Sequence, residues 1–382
     1  KFNYKMATVV DEKYWDKYVL TSIETYDVRY PTTDNAHGSD AVHDPDYSAA
    51  YCILNFTFND VLNNILDDIP NVLKGHGMTF SLGKGNEIII KCIESLFAFI
   101  KGSNFKDIIS NPVKFSKKLT CHPQFRWLGP EKGVAHMASC AIMNSIFDIW
   151  SYIHGKPLWK FICDMSIDDL LKCVDFEYCT DVINIESVAE IFKNSKEYQM
   201  EREQYLFGNG YPLYTTAVGW LGYSDELLKE LCDKFLNMGF KAFKMKVGKD
   251  VNDDIRRGKI IRQKIGYKNK LMMDANQRWD VKQSIEWMKQ LAFLKPYWIE
   301  EPTSPDDIVG HSKISKALKP YGIGVATGEV VSNRMQFKNY MQLNALQFVQ
   351  ADTGRLNSCI ELLSVLLMAK VFNLPVCYHA GG

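Results

Sequence analysis

The sequence predicts an α/β barrel preceded by a smaller α+β domain, and three observations carry this prediction. Short apolar strands alternate with amphipathic helices through the C-terminal half of the chain, which is typical of a parallel sheet. A polar residue ends or follows each of the last six strands, at intervals of 23 to 29 residues. No Gly-rich phosphate-binding loop is present, so a barrel is favoured over a doubly wound sheet.

The composition is that of an ordinary globular enzyme. The chain has 382 residues, 46% of them hydrophobic and 24% charged, which predicts two or three domains. Lys plus Arg equal Asp plus Glu at 45 each, which argues against nucleic acid or a membrane surface as partner. No apolar run has a membrane-spanning length of about 18 to 20 residues. The ten cysteines show no metal or disulfide spacing, so free thiols are expected. Self-association into a homo-oligomer is left open.

The N-terminal half is expected to contain strands, a long polar loop and helices. Residues 22–57 resemble strands around that loop, and helices are predicted over 86–100, 133–153 and 185–206. The first 20 residues include several acidic side chains and do not resemble a targeting peptide. The predicted division is a disordered extension (1–21), an α+β capping domain (22–150), a helical connection (151–212) and a partial barrel (213–382).

The barrel strands are predicted from apolar runs that helical segments separate. These runs lie near 213–220, 240–247, 270–274, 296–300, 323–327, 345–350 and 374–378. The polar residues at the ends of the last six strands are Lys246, Asp274, Glu300, Glu329, Asp352 and His379. In a barrel the C-terminal strand ends form the active-site mouth, so we expect these side chains to converge.

Lys244 and Lys246 lie on the same side of a predicted buried strand, because strand side chains alternate with period two. Most Lys-x-Lys pairs are surface residues, but the apolar neighbours Phe240, Phe243 and Val247 place this one in the interior. A buried ammonium group is costly unless it has a role. Two adjacent ammonium groups are also expected to lower the pKa of one of them towards the range of a general base.

Asp274, Glu300 and Glu329 each follow a buried strand. Taken singly, each would be read as a helix cap or a surface ion-pair partner. Three oxygen ligands at successive strand ends instead match the shell that Mg²⁺ prefers, so the sequence predicts a magnesium site. Only one of Glu300 and Glu301 is able to point inward, and the sequence does not settle which.

Asp352 and His379 are candidates for a carboxylate-oriented imidazole, in which the carboxylate fixes the tautomer and raises the basicity. A single histidine at a strand end is usually structural. Here His379 and Lys246 lie on opposite sides of the predicted metal site in strand order. Together the site is suited to removing the weakly acidic proton α to a carboxylate, which needs a nearby base and a metal to stabilise the enediolate.

Ten long and specific segments are distributed from about Tyr26 to Gly382. They are VRYPTT, SDAVHDPDYSAAY, RWLGPEKGV, GKPLWK, GYPLYTT, WLGYSDE, KVGKDVNDDIRR, LMMDANQRWD, WIEEPTSPDDIVGH and CYHAGG. Over these segments the chain resembles the enolase superfamily and, within it, the L-fuconate dehydratases, eukaryotic mitochondrial members included. A Lys or His base with Mg²⁺ is the known pattern of such sites.

The resemblance implies an enolase-like fold, with a capping domain over a (β/α)₇β barrel. It implies a Mg²⁺-dependent hydro-lyase that converts a small acid sugar, L-fuconate above all, into a 2-keto-3-deoxy acid. Lys246 would remove the C2 proton, and His379 with Asp352 would assist loss of the C3 hydroxyl. Residues implied to contact the substrate are Gly38, Ser39, Asp40, Tyr47, Lys244 and Glu329. The resemblance also suggests mitochondria, while the N-terminal residues leave a cytoplasmic location open.

Some features depart from the family pattern. Residues 330–332 are less polar than in relatives, residues 355–359 replace a Gly-rich segment, and Tyr378 stands where proline is usual. The 170 residues from 213 to 382 fall short of the ~250 of a complete barrel. The barrel is therefore expected to be incomplete, ending at strand 7, and the chain to be a C-terminally truncated piece of a longer product.

Two alternatives to the dehydratase remain at this stage. A racemase or epimerase of a related acid sugar would use the same Lys and His on opposite faces of the substrate. An inactive fragment or non-catalytic homologue would keep the fold without the chemistry, because the end of the barrel is missing.

Overall fold

The computed structural model describes residues 10–30, 47–59, 69–129 and 131–379. Three of the implied substrate contacts, Gly38, Ser39 and Asp40, lie outside the described residues, as do the first nine residues of the predicted extension.

The first sheet is antiparallel and three-stranded, in the order β1-β2-β3. Its strands are β1 (Tyr18–Tyr30), β2 (Tyr47–Phe58) and β3 (Val72–Ser81). Alternate residues of β2, such as Cys52, Leu54 and Phe56, are fully buried beneath the helices. Strands β1 and β2 confirm the strands predicted within residues 22–57, and the polar loop predicted between them lies outside the described residues.

The predicted disorder of residues 1–21 is wrong for the part that the structure describes. A 3-10 helix spans Glu12–Lys17, and β1 begins directly after it. Val10 and Trp15 are buried, and the Trp15 indole donates a hydrogen bond of 3.0 Å to the Val10 carbonyl. Disorder was predicted because this segment contains acidic residues. Too little weight was given to the few apolar residues that pack in the core.

Between the sheet and the second domain, the described residues form eight α-helices. They are α1 (Asn86–Ile100), α2 (Phe105–Ser110), α3 (Pro112–Thr120), α4 (Gly133–Ile153), α5 (Leu158–Asp164), α6 (Ile167–Lys172), α7 (Ile185–Glu197) and α8 (Gln199–Asn209). Helices α1 and α4 confirm two predicted helices. The third, predicted over 185–206, is two helices that meet at Tyr198.

Helix α4 packs closely on β3, and two glycines permit this. A Cβ atom added at Gly77 would lie 2.1 Å from the Ala141 carbonyl oxygen, and one added at Gly75 would lie 2.2 Å from that of Ser145. Both distances are far below van der Waals contact. The helix therefore rests directly on the strand backbone. Beyond this contact, β3 runs towards the second domain.

The second domain is a six-stranded parallel sheet whose strands follow chain order. The strands are β4 (Thr215–Gly219), β5 (Ala242–Lys246), β6 (Lys270–Asp274), β7 (Trp298–Glu300), β8 (Gly324–Thr327) and β9 (Phe348–Val349). The helices are α9 (Asp225–Asn237), α10 (Val251–Ile265), α11 (Val281–Leu291), α12 (Ile308–Leu318), α13 (Arg334–Gln342) and α14 (Ser358–Val371). The predicted alternation is confirmed. The predicted strand at 374–378 is a single parallel bridge between Val376 and Val349.

A buried ionic network joins the two domains. Arg334 forms ion pairs with Glu131 at 2.9 Å, with Asp175 at 3.1 Å and with Glu361 at 3.1 Å. The Glu361 carboxylate also bonds to the imidazole of His136, on α4, at 2.7 Å. Because these groups are almost entirely removed from water, removing any one partner would leave an uncompensated charge buried between the domains.

The cysteines are in the state that the sequence predicts. All ten cysteines are free, and most of them are buried. The longest helix, α4, has 21 residues and lies in the core. Within the described ranges, no helix is both long enough and apolar enough to cross a membrane.

Candidate active site

Lys246, Asp274 and Glu300 lie level with one another at the C-terminal ends of three adjacent strands. The register pairs Lys246 with Asp274, and Asp274 with Glu300. The next strand continues the row, with Ala326 opposite Glu300 and Glu329 three residues beyond it. The polar strand ends that the sequence singled out therefore meet along one edge of the sheet.

The strand register identifies Glu300 as the inward-pointing member of the Glu300-Glu301 pair. Trp298 packs in the inner cluster of the sheet, whereas Ile299 packs with the helices outside. Alternation then directs Glu300 to the same side as Trp298. Glu301 follows the strand with a φ of 42° and is also buried, and its carboxylate accepts hydrogen bonds from Gln277.

One carboxylate oxygen joins the two lysines. Asp274 Oδ2 accepts hydrogen bonds from Lys246 Nζ at 2.7 Å and from Lys244 Nζ at 2.9 Å. Lys244 Nζ also donates to Glu300 Oε1 at 2.6 Å. All four side chains are at least nine-tenths buried. A cation therefore already bridges Asp274 and Glu300, and this cation is the Lys244 ammonium.

Against the effect of burial, the neighbouring carboxylates raise the pKa of Lys244, whereas the expectation from the sequence was a lowered pKa for one of the two lysines. Burial disfavours its charge, but Asp274 and Glu300 outweigh burial and hold the pKa of Lys244 well above its ordinary value. Burial likewise opposes the charge of Asp274, yet Lys244 and Lys246 hold the pKa of that carboxyl below its ordinary range. The expectation that two adjacent ammonium groups lower a lysine pKa is therefore wrong for Lys244, because a carboxylate lies between them.

Asn276 is a site residue that the sequence reasoning missed. Its side-chain oxygen accepts a hydrogen bond of 2.8 Å from Lys246 Nζ, and its backbone N–H donates to Asp274 Oδ1 at 3.0 Å. Its φ of 44° turns the chain sharply after the strand. The available signal was an asparagine two residues after a strand-end carboxylate, a residue type that tolerates this backbone conformation.

Asp352 and His379 form the predicted carboxylate–imidazole pair. Asp352 Oδ2 lies 2.6 Å from His379 Nδ1, while His379 Nε2 is directed towards Glu329, 3.6 Å from Oε2. Burial alone would favour the neutral ring. The hydrogen bond to Asp352 and the charge of Glu329 outweigh burial and raise the pKa of His379. The two carboxylates thus favour the protonated form of this ring.

Glu329 completes a group of carboxyl groups at the mouth. Burial and the charges of Asp274 and Glu300 outweigh the attraction of His379 and raise the pKa of Glu329 to about 7. The oxygen donors and their mutual repulsion fit a hard divalent cation. Among the described residues, no three His, Cys, Asp or Glu side chains are already arranged to hold a metal ion. The lysines lie against Asp274 and Glu300, and Glu329 faces His379.

Two cavities flank the Asp352–His379 pair, beneath the capping domain. One, of about 320 Å³, has walls of mixed polarity that include Tyr51, His76 and Asp148. The other, of about 340 Å³, includes Glu329 and is mostly apolar. Phe80, on β3, lines both cavities. The implied substrate contact Tyr47 packs its ring against Phe80 with centroids 5.7 Å apart, and it lines neither cavity.

Comparison with known proteins finds a family model and several relatives that are similar to this chain. Residues 227–382 match the family model described as enolase C-terminal domain-like. The human protein named mitochondrial enolase superfamily member 1 is 50% identical over 364 residues, covering 95% of this chain and 80% of that protein. Its crystal structure superposes with a TM-score of 0.89 at 49% identity, covering 96% of this chain and 81% of that one.

Two further relatives carry activities in their names. L-galactonate dehydratase from Hypocrea jecorina is 42% identical over 367 residues, covering 95% of this chain and 79% of that protein. L-talarate/galactarate dehydratase from Salmonella typhimurium, solved with Mg and L-lyxarohydroxamate, has a TM-score of 0.69 at 20% identity. The superposition covers 95% of this chain and 78% of the chain of that structure, so the two proteins share the fold.

Proposed function

The chain belongs to the enolase superfamily, and from this premise we propose that it is a Mg²⁺-dependent acid-sugar dehydratase. The observation that carries the proposal is the position of Lys246 and His379 at the two ends of one row of carboxylates. An amine base at one end and an imidazole acid at the other suit the removal of a proton and of a hydroxyl group from neighbouring carbons.

Asp274, Glu300 and Glu329 would hold the Mg²⁺ ion. Their oxygens are the ligand type that this ion prefers, and Lys244 already bridges Asp274 and Glu300 as a cation. When bound, the ion supplies positive charge that offsets the negative charge developing on the substrate carboxylate. Lys244 would then contact that carboxylate from the same side, as an ammonium group held charged by its neighbours.

Lys246 would remove the proton from C2 of the substrate. Its Nζ atom is held by Asp274 and Asn276, at 2.7 and 2.8 Å, so the amine has a fixed position at the mouth. The C2–H bond breaks, the proton goes to the Lys246 amine, and the electron pair remains with the substrate. A base held in position contributes about 10²- to 10⁴-fold to the rate of such a step.

His379 would donate a proton to the leaving C3 hydroxyl. The hydrogen bond from Nδ1 to Asp352 leaves Nε2 as the atom that faces the mouth. The C3–O bond breaks, the electron pair left at C2 forms the C2–C3 double bond, and the hydroxyl leaves as water. The resulting enol becomes a 2-keto-3-deoxy acid. Burial opposes the charge of His379, but the hydrogen bond to Asp352 and the charge of Glu329 raise its pKa and so favour the protonated ring that this step needs.

We propose L-fuconate as the substrate, with L-galactonate as its nearest competitor. The two acids differ only at C6, where L-fuconate lacks a hydroxyl, and a relative at 42% identity is named L-galactonate dehydratase. The polar side chains in the cavity beside His379, among them His76 and Asp148, suit the hydroxyl groups of either acid. Proposed substrate contacts are Gly38, Ser39, Asp40, Tyr47, Lys244 and Glu329. The relatives named mitochondrial support a mitochondrial location.

The test is a product assay on the protein expressed from its complete coding sequence. A panel of acid sugars that includes L-fuconate and L-galactonate is incubated with Mg²⁺, and semicarbazide detects any 2-keto acid. We expect Mg²⁺-dependent product that disappears in Lys246→Ala. Exchange at C2 without a keto acid would instead indicate a racemase or epimerase. If a folded, Mg²⁺-binding protein forms no keto acid and exchanges no proton at C2, the result would contradict a dehydratase for this panel.

A further inference from the structure

Trp298 contacts the Glu300 carboxylate through its only polar atom. Its indole Nε1 donates a hydrogen bond of 3.2 Å to Glu300 Oε2, and both side chains are almost completely buried. The two residues are two positions apart on β7 and therefore point to the same side of the sheet. A tryptophan in the interior usually finds a partner for this N–H, and here the partner is charged.

The indole ring is fixed by aromatic neighbours inside the sheet. Its centroid lies 5.0 Å from that of Phe348, 5.6 Å from that of Tyr297 and 5.9 Å from that of Tyr214, the last in an edge-to-face arrangement with an interplanar angle of 87°. Neighbours on several sides leave the ring no other rotamer without repacking. The direction of the N–H is therefore set by the core.

The two oxygens of Glu300 consequently have different partners. Oε2 is occupied by the Trp298 indole, and Oε1 accepts from the Lys244 ammonium at 2.6 Å. Oε1 is thus the oxygen that faces the cation, while Oε2 faces the core. A carboxylate whose second oxygen is bonded from behind loses less rotational freedom when its first oxygen takes up a metal ion.

We propose that Trp298 is a positioning residue for the metal site: its indole N–H orients Glu300 so that Oε1 faces the divalent cation. The inference rests on the proposed function, in which Glu300 is a metal ligand. Groups that hydrogen-bond to a metal ligand typically contribute 10- to 100-fold to metal affinity or activity. Trp298 would act only through Glu300, without touching the substrate.

The substitution Trp298→Phe removes the N–H and keeps an aromatic ring in the core. The chain offers a matched control in Trp279, which is also buried. In the described part of the chain, the indole N–H of Trp279 has no hydrogen-bond partner. Trp279→Phe therefore makes the same chemical change in the same domain without breaking a bond to a carboxylate. Glu300→Gln serves as the reference for a damaged metal ligand.

The measurement is a Mn²⁺ titration followed by electron paramagnetic resonance, on the protein expressed from its complete coding sequence. Mn²⁺ is used because it shares the oxygen-ligand preference of Mg²⁺. We expect the Mn²⁺ dissociation constant to rise about 10-fold or more in Trp298→Phe, to stay within about twofold in Trp279→Phe, and to rise at least as much in Glu300→Gln. Circular dichroism of each variant verifies that the fold is kept.

The possible outcomes separate the inference from the proposed function. If Glu300→Gln weakens Mn²⁺ binding while folded Trp298→Phe binds like the wild type, the role of Trp298 is wrong and the metal site stands. If Trp279→Phe weakens binding as much as Trp298→Phe, the loss comes from the packing of the domain, and the inference is also overturned. If Glu300→Gln leaves Mn²⁺ binding unchanged, Glu300 is not a metal ligand, and both proposals fail.

Discussion

Lys246 and Asp274 are register partners on neighbouring strands, and Lys246 Nζ lies 2.7 Å from Asp274 Oδ2. The same oxygen accepts a second hydrogen bond, from Lys244. The proposed base, the proposed carboxylate-binding lysine and a proposed metal ligand are therefore joined at one atom. Asp274 would hold the metal ion together with Glu300 and Glu329, while its Oδ2 atom keeps Lys246 Nζ in place at the mouth.

The charge of Asp352 is expected to matter through His379. The substitution Asp352→Asn keeps the side-chain shape but removes the negative charge that stabilises the protonated imidazole. We expect the rate of dehydration to fall about 10²-fold or more, measured as kcat for keto-acid formation. As a control, Asp181→Asn alters a surface aspartate paired with Lys338 and should change kcat little. An unchanged rate in Asp352→Asn would remove Asp352 from the mechanism.

The close approach of α4 to β3 predicts a strong effect of a single methyl group. Gly77→Ala places a Cβ atom 2.1 Å from the Ala141 carbonyl oxygen, so the helix must move. We expect the free energy of unfolding to fall by at least about 2 kcal/mol in urea denaturation. Gly208→Ala is the matched control, because Gly208 lies in helix α8 with open space around it. Its stability should stay the same or rise by up to about 1 kcal/mol.

The buried network around Glu361 predicts a specific acid sensitivity. Burial opposes the charge of Glu361, but His136 and Arg334 outweigh it and lower its pKa from 4.5 to about 2. A carboxyl group with a lowered pKa stabilises the fold above its unfolded-state pKa, and this stabilisation is lost as the pH falls from about 4.5 towards 2. The shift corresponds to roughly 3 kcal/mol.

The check is the pH dependence of the unfolding free energy in wild type and Glu361→Gln. We expect the difference between the two proteins to be largest near neutral pH and to shrink as the pH drops below about 4.5. Carboxyl groups outside the network titrate equally in both proteins and cancel in this difference. A difference that is constant from neutral pH to pH 3 would mean that Glu361 is not held ionised by the network.

Most of the barrel could be predicted from the sequence, because its signals are local. Each strand is a short apolar run, and each strand end carries a polar residue. The prediction at 374–378 was too long, because Val376 alone pairs with β9. The order near residue 15 was missed, because a single buried tryptophan among acidic residues carries no periodic pattern.

The relationships between strands could not be predicted from the sequence. Which of Glu300 and Glu301 points inward depends on where β7 begins. The apolar residues before them do not show which face of the strand is the inner one. The position of Asp274 between Lys244 and Lys246 depends on the register of β5 against β6. The contact from Trp298 to Glu300 depends on the aromatic packing inside the sheet. Each of these relationships requires coordinates from elements far apart in the chain or from side-chain rotamers.

The account centres on two separate proton transfers, by Lys246 at C2 and by His379 at C3. The most direct test is exchange of the C2 proton of L-fuconate in D₂O with Mg²⁺, followed by proton NMR in Lys246→Ala and His379→Asn. We expect His379→Asn to exchange the C2 proton without forming keto acid, and folded Lys246→Ala to do neither. Exchange that persists in Lys246→Ala would contradict the assignment of Lys246 as the base.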